Sequence, residues 1–176
     1  YRFQYQKRQT FRIHFEEDTA HPWELLSSHH RRNIQKFQSS GAHIAPISPL
    51  ACIHFFEQNM GKKLNLNQKF YNLFIKIAQI SEAPFQVHSF GVFQGLELIS
   101  VMSVLKSSGW HIYWLSATSE EGRKKSAAHG LVYHGLLQAF EARATWDFEG
   151  SMKPGLARFY SEFGGLAEDY SFIQGW

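Results

Sequence analysis

The chain has 176 residues, the size of one ordinary domain, and a chain of that length can bury a core without disulfides or metal. Hydrophobic residues make up 44% and charged residues 19% of the sequence, a balance that excludes intrinsic disorder. A single cysteine excludes a disulfide framework, and the net charge of +3 is smaller than is typical of a duplex-DNA binder. Because no run of 18 apolar residues occurs, we expect no membrane span and a cytoplasmic location.

The first half of the chain is predicted to hold one strand followed by helices. Polar and apolar residues alternate over residues 9–15, which predicts a half-buried strand. Apolar residues then recur at spacings of three and four, which predicts helices. These helices run from Pro22 to a stop at Gly41, from Ser48–Pro49 to near Gly61, and from a cap at Asn67 to a stop before Pro84.

The second half is richer in strands. Two β-rich runs, residues 85–93 and 97–105, meet at Gln94–Gly95, which predicts a hairpin. The other predicted elements are a strand at 110–115, a helix at 126–143, a strand at 145–148, a helix at 154–163 and a strand at 170–173. Because no internal repeat or linker occurs, we expect a single mixed α/β domain over residues 1–176.

A polar loop with basic residues connects the strand at 110–115 to the next helix. The unpaired N–H groups and the positive dipole end of a helix N-terminus favour an anion. Small residues at 126–128 would let a phosphate approach the backbone. The alternative is plain capping of the helix by Ser126, with the basic side chains exposed beside it.

This loop carries a resemblance. The segment Arg-Lys-Lys-Ser-Ala-Ala at residues 123–128 is similar to the acyl-CoA pyrophosphate signature of GNAT acyltransferases, which lies between a strand and a helix. Ser126 stands where that signature has its first glycine. The missing glycine favours an alternative in which the domain has the fold but only binds a ligand or partner.

The end of the chain is similar to the closing segment of the Fem-type branch of this superfamily. The segment Thr-Trp-Asp-Phe-Glu-Gly-Ser at residues 145–151 matches that branch's Asp-Phe-x-Gly-Ser pattern, and residues 154–164 match its Gly-x-x-x-Phe-Tyr and Phe-Gly patterns. Residues 27–36 resemble the branch's basic first helix. The resemblance spans residues 9–173 and implies a GNAT-like α/β (α+β) fold, a mixed, largely antiparallel twisted sheet flanked by helices.

The resemblance implies an N-acyltransferase that moves an acyl group, most simply acetyl, from acyl-CoA to an amine. An amine with a pKa near 10.4 must lose a proton before it attacks a thioester, so a base is needed. Glu149 and Asp147 are the candidate bases, expected to share one face of their strand, and Tyr160 is the candidate acid for the leaving thiolate. The alternatives are that Asp147 holds the turn at 150–151 and that Tyr160 is a core residue.

The donor would lie along the predicted strand and loop. The residues expected to bind it are Leu115, Ser116, Ala117, Arg123, Lys124, Lys125, Ser126, Ala127, Ala128 and His129. Ser116 and Ala117 are expected to leave the strand, and His129 is alternatively a solvated residue. No metal is expected, because no histidine and carboxylate spacing typical of a metal motif occurs.

The acceptor side is less defined. Arg31 and Arg32 are candidate contacts for an anionic acceptor such as a cell-envelope precursor, or else part of a solvated basic face. Fem-type proteins usually contain two GNAT-like halves, so a second half or a homodimer is expected to complete the acceptor site. An aminoacyl-tRNA donor is the alternative to acyl-CoA. The sequence begins at Tyr1, so we expect a shortened chain or the later part of a longer protein.

Overall fold

The computed structural model describes residues 3–80, 84–150 and 152–175 and is built around one seven-stranded sheet in the order β2-β3-β4-β5-β6-β1-β7. The strands are β1 (Phe3–Ile13), β2 (His43–Pro46), β3 (Phe85–Gln94), β4 (Glu97–Ser107), β5 (Trp110–Thr118), β6 (Thr145–Gly150) and β7 (Leu166–Gly175). All neighbouring pairs are antiparallel except β5 and β6, which are parallel. The predicted mixed, largely antiparallel sheet is confirmed.

Helices cover both faces of this sheet. They are α1 (Pro22–Leu25), α2 (Ser28–Gln38), α3 (Pro49–Phe56), α4 (Lys62–Leu64), α5 (Gln68–Ala78), α6 (Glu120–Lys124), α7 (Ala127–Glu141) and α8 (Pro154–Glu162), with a π-helical turn at Glu57–Gly61. One buried cluster lies under α2, α7 and α8 and includes Ile34 and Leu131. A second lies under α3 and α5 and includes Cys52 and Phe74. In the described part of the chain, no helix is both long and apolar enough to cross a membrane.

Local side-chain chemistry explains where several helices begin. Ser48 and Asn67 accept hydrogen bonds from the backbone amides three residues later, as the predicted starts of α3 and α5 require. The single helix predicted from Pro22 is instead two, because Leu26 is extended and the Ser27 hydroxyl accepts from the amide of His30. The Ser27 cap therefore starts a second helix within a stretch where the spacing of apolar residues alone predicts a single helix.

The parallel pair β5 and β6 positions the candidate site. Its register covers three residue pairs, from Trp110 opposite Thr145 to Ile112 opposite Asp147. Beyond Ile112, β5 continues beside β4 to Thr118, whereas β6 pairs with β1. The two strands thus part in the middle of the sheet, and this opening leaves β5 backbone groups without a strand partner on the β6 side.

Candidate functional site

A cavity of about 370 Å³ lies where β5 and β6 part. It is lined by Phe56, Leu64, Leu66, Phe70, Tyr113, Trp114, Leu115, Ser116, Phe148, Glu149, Gly150, Leu156 and Tyr160. A larger cavity of about 600 Å³ lies beside the π-helical turn, between residues such as Glu57 and Tyr71. The smaller cavity is the candidate site, because it brings the Glu149 carboxylate, the Tyr113 and Tyr160 phenols and the Ser116 hydroxyl together in a largely apolar wall.

A bulge in β6 turns Glu149 toward this cavity. Thr10 pairs with Gly150 and Arg12 with Asp147, so Phe148 and Glu149 together lie opposite the single residue Phe11. Glu149 has a φ of 58°, in the left-handed region that residues other than glycine rarely adopt. The expectation that Asp147 and Glu149 share one face is wrong, because the extra residue interrupts the alternation of side chains: Asp147 is buried and Glu149 is exposed at the cavity.

The surroundings of Glu149 favour its protonated form. Desolvation by the cavity wall and the nearby Asp147 carboxylate raise the pKa of Glu149. A carboxylate with a raised pKa is a stronger base than an ordinary glutamate. Its pKa therefore moves toward the range in which a carboxylate accepts a proton near neutral pH.

Asp147 is fixed by hydrogen bonds. Its Oδ1 accepts from the Thr10 hydroxyl at 2.6 Å and from the backbone amide of Glu149 at 2.7 Å, and its Oδ2 accepts from Arg12 Nε at 2.8 Å. This arrangement favours the alternative in which Asp147 holds the backbone, although the amide belongs to Glu149 and not to the turn at 150–151. Ser151 lies outside the described residues. Asp147 thus holds the bulge that presents Glu149.

Tyr160 reaches the same cavity from α8. Its ring stacks on Phe148 with a centroid distance of 4.7 Å and is buried. Burial, Tyr113 and Glu149 all raise the pKa of Tyr160, so its phenol stays protonated at neutral pH. The ring belongs to the core as well, so the two alternatives for Tyr160 are compatible with each other.

β5 supplies the opposite wall. The prediction that Ser116 and Ala117 leave the strand is wrong, because both pair with β4 and the strand extends to Thr118. Leu115 and Ser116 line the cavity, whereas Ala117 is buried in the second core cluster. The register with β4 shifts between Ser103 and Val104, which leaves Trp114 as an extra residue on β5. A bulge thus bends β5 beside the opening.

The predicted donor loop forms a compact turn around Ser126. Ser126 has a φ of 56°, in the left-handed region that glycine adopts most easily. Ser126 stands at the N-cap of α7 as predicted, but its hydroxyl makes no cap hydrogen bond and instead donates to Asn33 Oδ1 at 2.9 Å. Ala127 is fully buried, and Ala128 is partly exposed. The turn therefore joins α7 to α2 through a buried side chain.

The cations of the loop have partners within the protein. Arg123 donates to the Thr118 carbonyl at 2.9 Å. Lys124 lies 3.7 Å from a carboxylate oxygen of Glu121, and Lys125 lies 3.6 Å from the other oxygen of the same residue. Surface ion pairs of this kind are weak, so an anionic ligand could compete for both lysines.

Of the remaining predicted site residues, some make contacts within the protein and others lie exposed on its surface. Arg31 donates to the backbone carbonyls of Trp23 and Glu24, at 3.1 and 2.9 Å, and so closes the end of α1. Arg32 is exposed. His129 is not a solvated residue: it packs against His30, with ring centroids 4.8 Å apart, and burial lowers the pKa of His129 to about 4. Sequence spacing gave no sign of this contact, because the two helices are about a hundred residues apart.

The fold is similar to 45 chains of known structure. FemX superposes with a TM-score of 0.74 at 13% identity, over 95% of this chain and 62% of FemX. A tandem GNAT protein from the clavulanic acid biosynthesis pathway gives a TM-score of 0.60 at 9% identity, over 95% of this chain and 51% of that protein. A GCN5-related N-acetyltransferase from Kribbella flavida gives 0.53 at 10% identity, over 97% of this chain and 58% of that enzyme.

This chain thus spans less than two thirds of the length of these solved structures. No protein-family model matches the sequence, and no curated protein matches it significantly. The largely antiparallel sheet, the helices on both faces and these superpositions agree with the fold expected from the sequence. The chain has a GNAT-like fold of the Fem type.

Proposed function

We propose that this chain is an N-acyltransferase that moves an acyl group, most simply acetyl, from acyl-CoA to an amine. The observation that supports it best is the cavity at the opening between β5 and β6, in which Glu149 and Tyr160 line the same wall. An apolar cleft with a few converging polar groups is the usual form of a small-molecule site. The fold shared with an N-acetyltransferase from Kribbella flavida is consistent with this chemistry.

In the proposed reaction Glu149 is the base and Tyr160 the acid. The Glu149 carboxylate takes one proton from the acceptor ammonium, directly or through a water, and the free amine attacks the thioester carbonyl. The new C–N bond forms a tetrahedral oxyanion, whose collapse breaks the C–S bond. Tyr160 gives its phenolic proton to the departing thiolate, and the second proton of the acceptor nitrogen returns to the Tyr160 oxygen through water. The products are the acylated amine, free CoA and one proton, which Glu149 releases to solvent.

Backbone groups of β5 would stabilise the oxyanion and align the donor. Between Tyr113 and Ser116 the strand has no partner on the β6 side, so its N–H groups can face an incoming carbonyl or an extended donor chain. Fixed N–H donors stabilise the developing oxyanion, and alignment of donor and acceptor lowers the entropic part of the barrier. The turn at Ser126 and the lysines beside it would hold the donor phosphates.

Aminoacyl transfer from tRNA is a second candidate, favoured by a specific observation. The lysines of the donor loop are paired with Glu121, and the Ser126 hydroxyl is bonded to Asn33. A loop arranged in this way is less open to a pyrophosphate than a glycine-rich one. FemX, with its TM-score of 0.74, belongs to the branch in which the aminoacyl-tRNA donor is expected. The acceptor would then be a cell-envelope precursor.

Thermal unfolding with added ligands tests the choice of donor. Acetyl-CoA at 100 times its dissociation constant should stabilise the protein by about 2.7 kcal/mol, whereas tRNA should have no effect. Replacing Arg123 and Lys124 together by alanine should weaken the acetyl-CoA effect. The matched control replaces Lys69 and Lys76, two exposed cations of α5, by alanine and should leave it unchanged.

Each other outcome of that experiment has a defined meaning. A shift with tRNA alone would replace the acyl-CoA donor by aminoacyl-tRNA. Stabilisation without turnover of any amine would favour a domain that only binds its ligand. The absence of a shift with acetyl-CoA, CoA and tRNA would contradict the proposed function for this chain.

A further inference from the structure

A cluster of three histidines lies on the other side of α8 from the parted strands. His29 and His30 come from α2, and His129 comes from the first turn of α7. One ring nitrogen of each histidine lies within 4.8 Å of the others. Glu162, at the end of α8, places a carboxylate oxygen 3.3 Å from His30 Nδ1. Three helices therefore converge on one group of nitrogen and oxygen ligands.

The hydrogen bonds of His30 leave one lone pair directed at a carboxylate. His30 Nε2 lies 3.1 Å from the Phe159 carbonyl oxygen, so this nitrogen carries the hydrogen and donates it. The Nδ1 of the neutral ring is then an acceptor facing Glu162, and it has no hydrogen-bond partner among the described residues. Two acceptors 3.3 Å apart repel each other unless a proton or a metal cation lies between them.

A second buried nitrogen of the cluster is also unsatisfied. His129 Nε2 has no hydrogen-bond partner in the part of the chain that the structure describes. A buried polar atom without a partner is costly, and a native structure seldom keeps two beside each other without a compensating ligand. One ion placed among the rings would satisfy both nitrogens.

We propose that His29, His30 and His129, together with Glu162, form a binding site for a divalent transition-metal ion, with Zn²⁺ as the expected ion. Imidazole nitrogens with one carboxylate are ligands that zinc prefers. Zinc holds nitrogens at about 2.0–2.1 Å, which places neighbouring ligand atoms roughly 3.3 Å apart. The rings would therefore close on the ion by about an ångström.

The surroundings give this site an entry path and a supporting shell. A cavity of about 380 Å³, lined by all four proposed ligands, opens onto the cluster. Arg158 donates to Glu162 Oε1 at 2.6 Å and leaves Oε2 for the ion. Asn33 Nδ2 lies 3.1 Å from His29 Nε2. If this nitrogen binds the ion, the metal bond replaces its hydrogen bond with Asn33. The same Asn33 accepts from Ser126, which links the ion to the turn at the start of α7.

The ion would connect α2, α7 and α8 at a point away from the candidate active site. Glu162 lies two residues after Tyr160 on α8, so a bound ion would limit the movement of the helix that carries the proposed acid. This role is structural and does not depend on the reaction that the domain carries out.

Zinc binding tests the proposal directly. Protein free of any purification tag is treated with a chelator and titrated with Zn²⁺ in competition with a chromophoric chelator. We expect one ion per chain, and an affinity at least roughly tenfold lower in His29→Ala and in Glu162→Gln. His54→Ala is the matched control, because it removes another exposed helical histidine that lies near an amide four residues later. It should bind zinc as the wild type does.

Cobalt supplies a second readout. Co²⁺ in place of zinc should give visible absorption typical of a four-coordinate site, and His129→Asn should lose it while circular dichroism shows a folded chain. The proposal is overturned if the wild type binds no zinc, or if His29→Ala and Glu162→Gln bind it as tightly as the wild type. Weak binding that His54→Ala abolishes would overturn it as well.

Discussion

Glu149 combines features that oppose stability, which is typical of residues kept for function. Its φ of 58° and its raised pKa both disfavour the folded state. Because the folded-state pKa is higher than the unfolded one, the charged carboxylate removes stability as pH rises from the ordinary value of 4.5 through the raised value. A neutral residue of the same shape avoids that penalty.

We therefore expect Glu149→Gln to raise the free energy of unfolding at pH 7 and to leave it unchanged below about pH 4. The same substitution should lower the acyl-transfer rate by about 10²–10⁴-fold, as expected for the loss of a general base. Urea denaturation at several pH values and a free-thiol assay measure the two effects. Equal stability at pH 7, or an unchanged rate, would contradict the role of Glu149.

Asp147, in contrast to Glu149, is held by contacts that stabilise the fold. It accepts three hydrogen bonds, two of them from β1. We expect Asp147→Asn to destabilise the fold by about 2–3 kcal/mol, because a hydrogen bond to a charged group is lost and Arg12 keeps its charge. Glu168→Gln is the control: it removes the other carboxylate bonded to Arg12 at a more exposed position and should cost less than about 1 kcal/mol. A smaller effect for Asp147 than for Glu168 in urea denaturation would show that the bulge does not depend on Asp147.

The sequence predicts which residues line the cavity better than it predicts the backbone geometry that positions them. Glu149 and Tyr160 were found from a family pattern and from their places on β6 and α8, and the cavity contains both. The bulge that separates Glu149 from Asp147 depends on the pairing of β6 with β1, which are more than a hundred residues apart in sequence. The histidine cluster likewise depends on how α2 packs on α7. Contacts of this kind leave no local pattern in the chain.

At the scale of elements, prediction succeeded where a cap or turn residue coincided with the apolar period. The helix after Asn67 and the hairpin at Gln94–Gly95 are confirmed for this reason. The short edge strand His43–Pro46 was not predicted, because four residues that end in proline show too little alternation. The helix from Ser48 continues at Glu57 as a π-helical turn, which the spacing of apolar residues does not predict.

Two glycines test how tightly the elements around the donor loop pack. A Cβ on Gly122 in α6 would lie 2.3 Å from the backbone oxygen of Ile99, whereas one on Gly155 in α8 would have nothing within 4 Å. We expect Gly122→Ala to destabilise the fold by at least about 1–3 kcal/mol, and Gly155→Ala to be neutral or to stabilise it by up to about 1 kcal/mol. Thermal unfolding measures both. Equal melting temperatures for the two variants would contradict the described contact of α6 with β4.

At the scale of the whole molecule, the chain of 176 residues has a GNAT-like fold and spans 62% of the length of FemX. The modest charge of +3 is spread over cations that already have partners, such as Arg31 and Lys125. The opening between β5 and β6 is therefore a better indication of a ligand site than the net charge is. In the proposed reaction, the acceptor would reach Glu149 from the exposed side of that opening.

The central claim is that the opening between β5 and β6 binds an acyl donor. Calorimetric titration with acetyl-CoA tests it most directly, using Leu156→Trp to narrow the cavity that Leu156 lines and Leu50→Trp as an exposed control outside it. We predict one acetyl-CoA per chain in the wild type and in Leu50→Trp, and at least tenfold weaker binding in Leu156→Trp, or about 1.4 kcal/mol. Binding that is equally tight in all three proteins, or absent from the wild type, would contradict it.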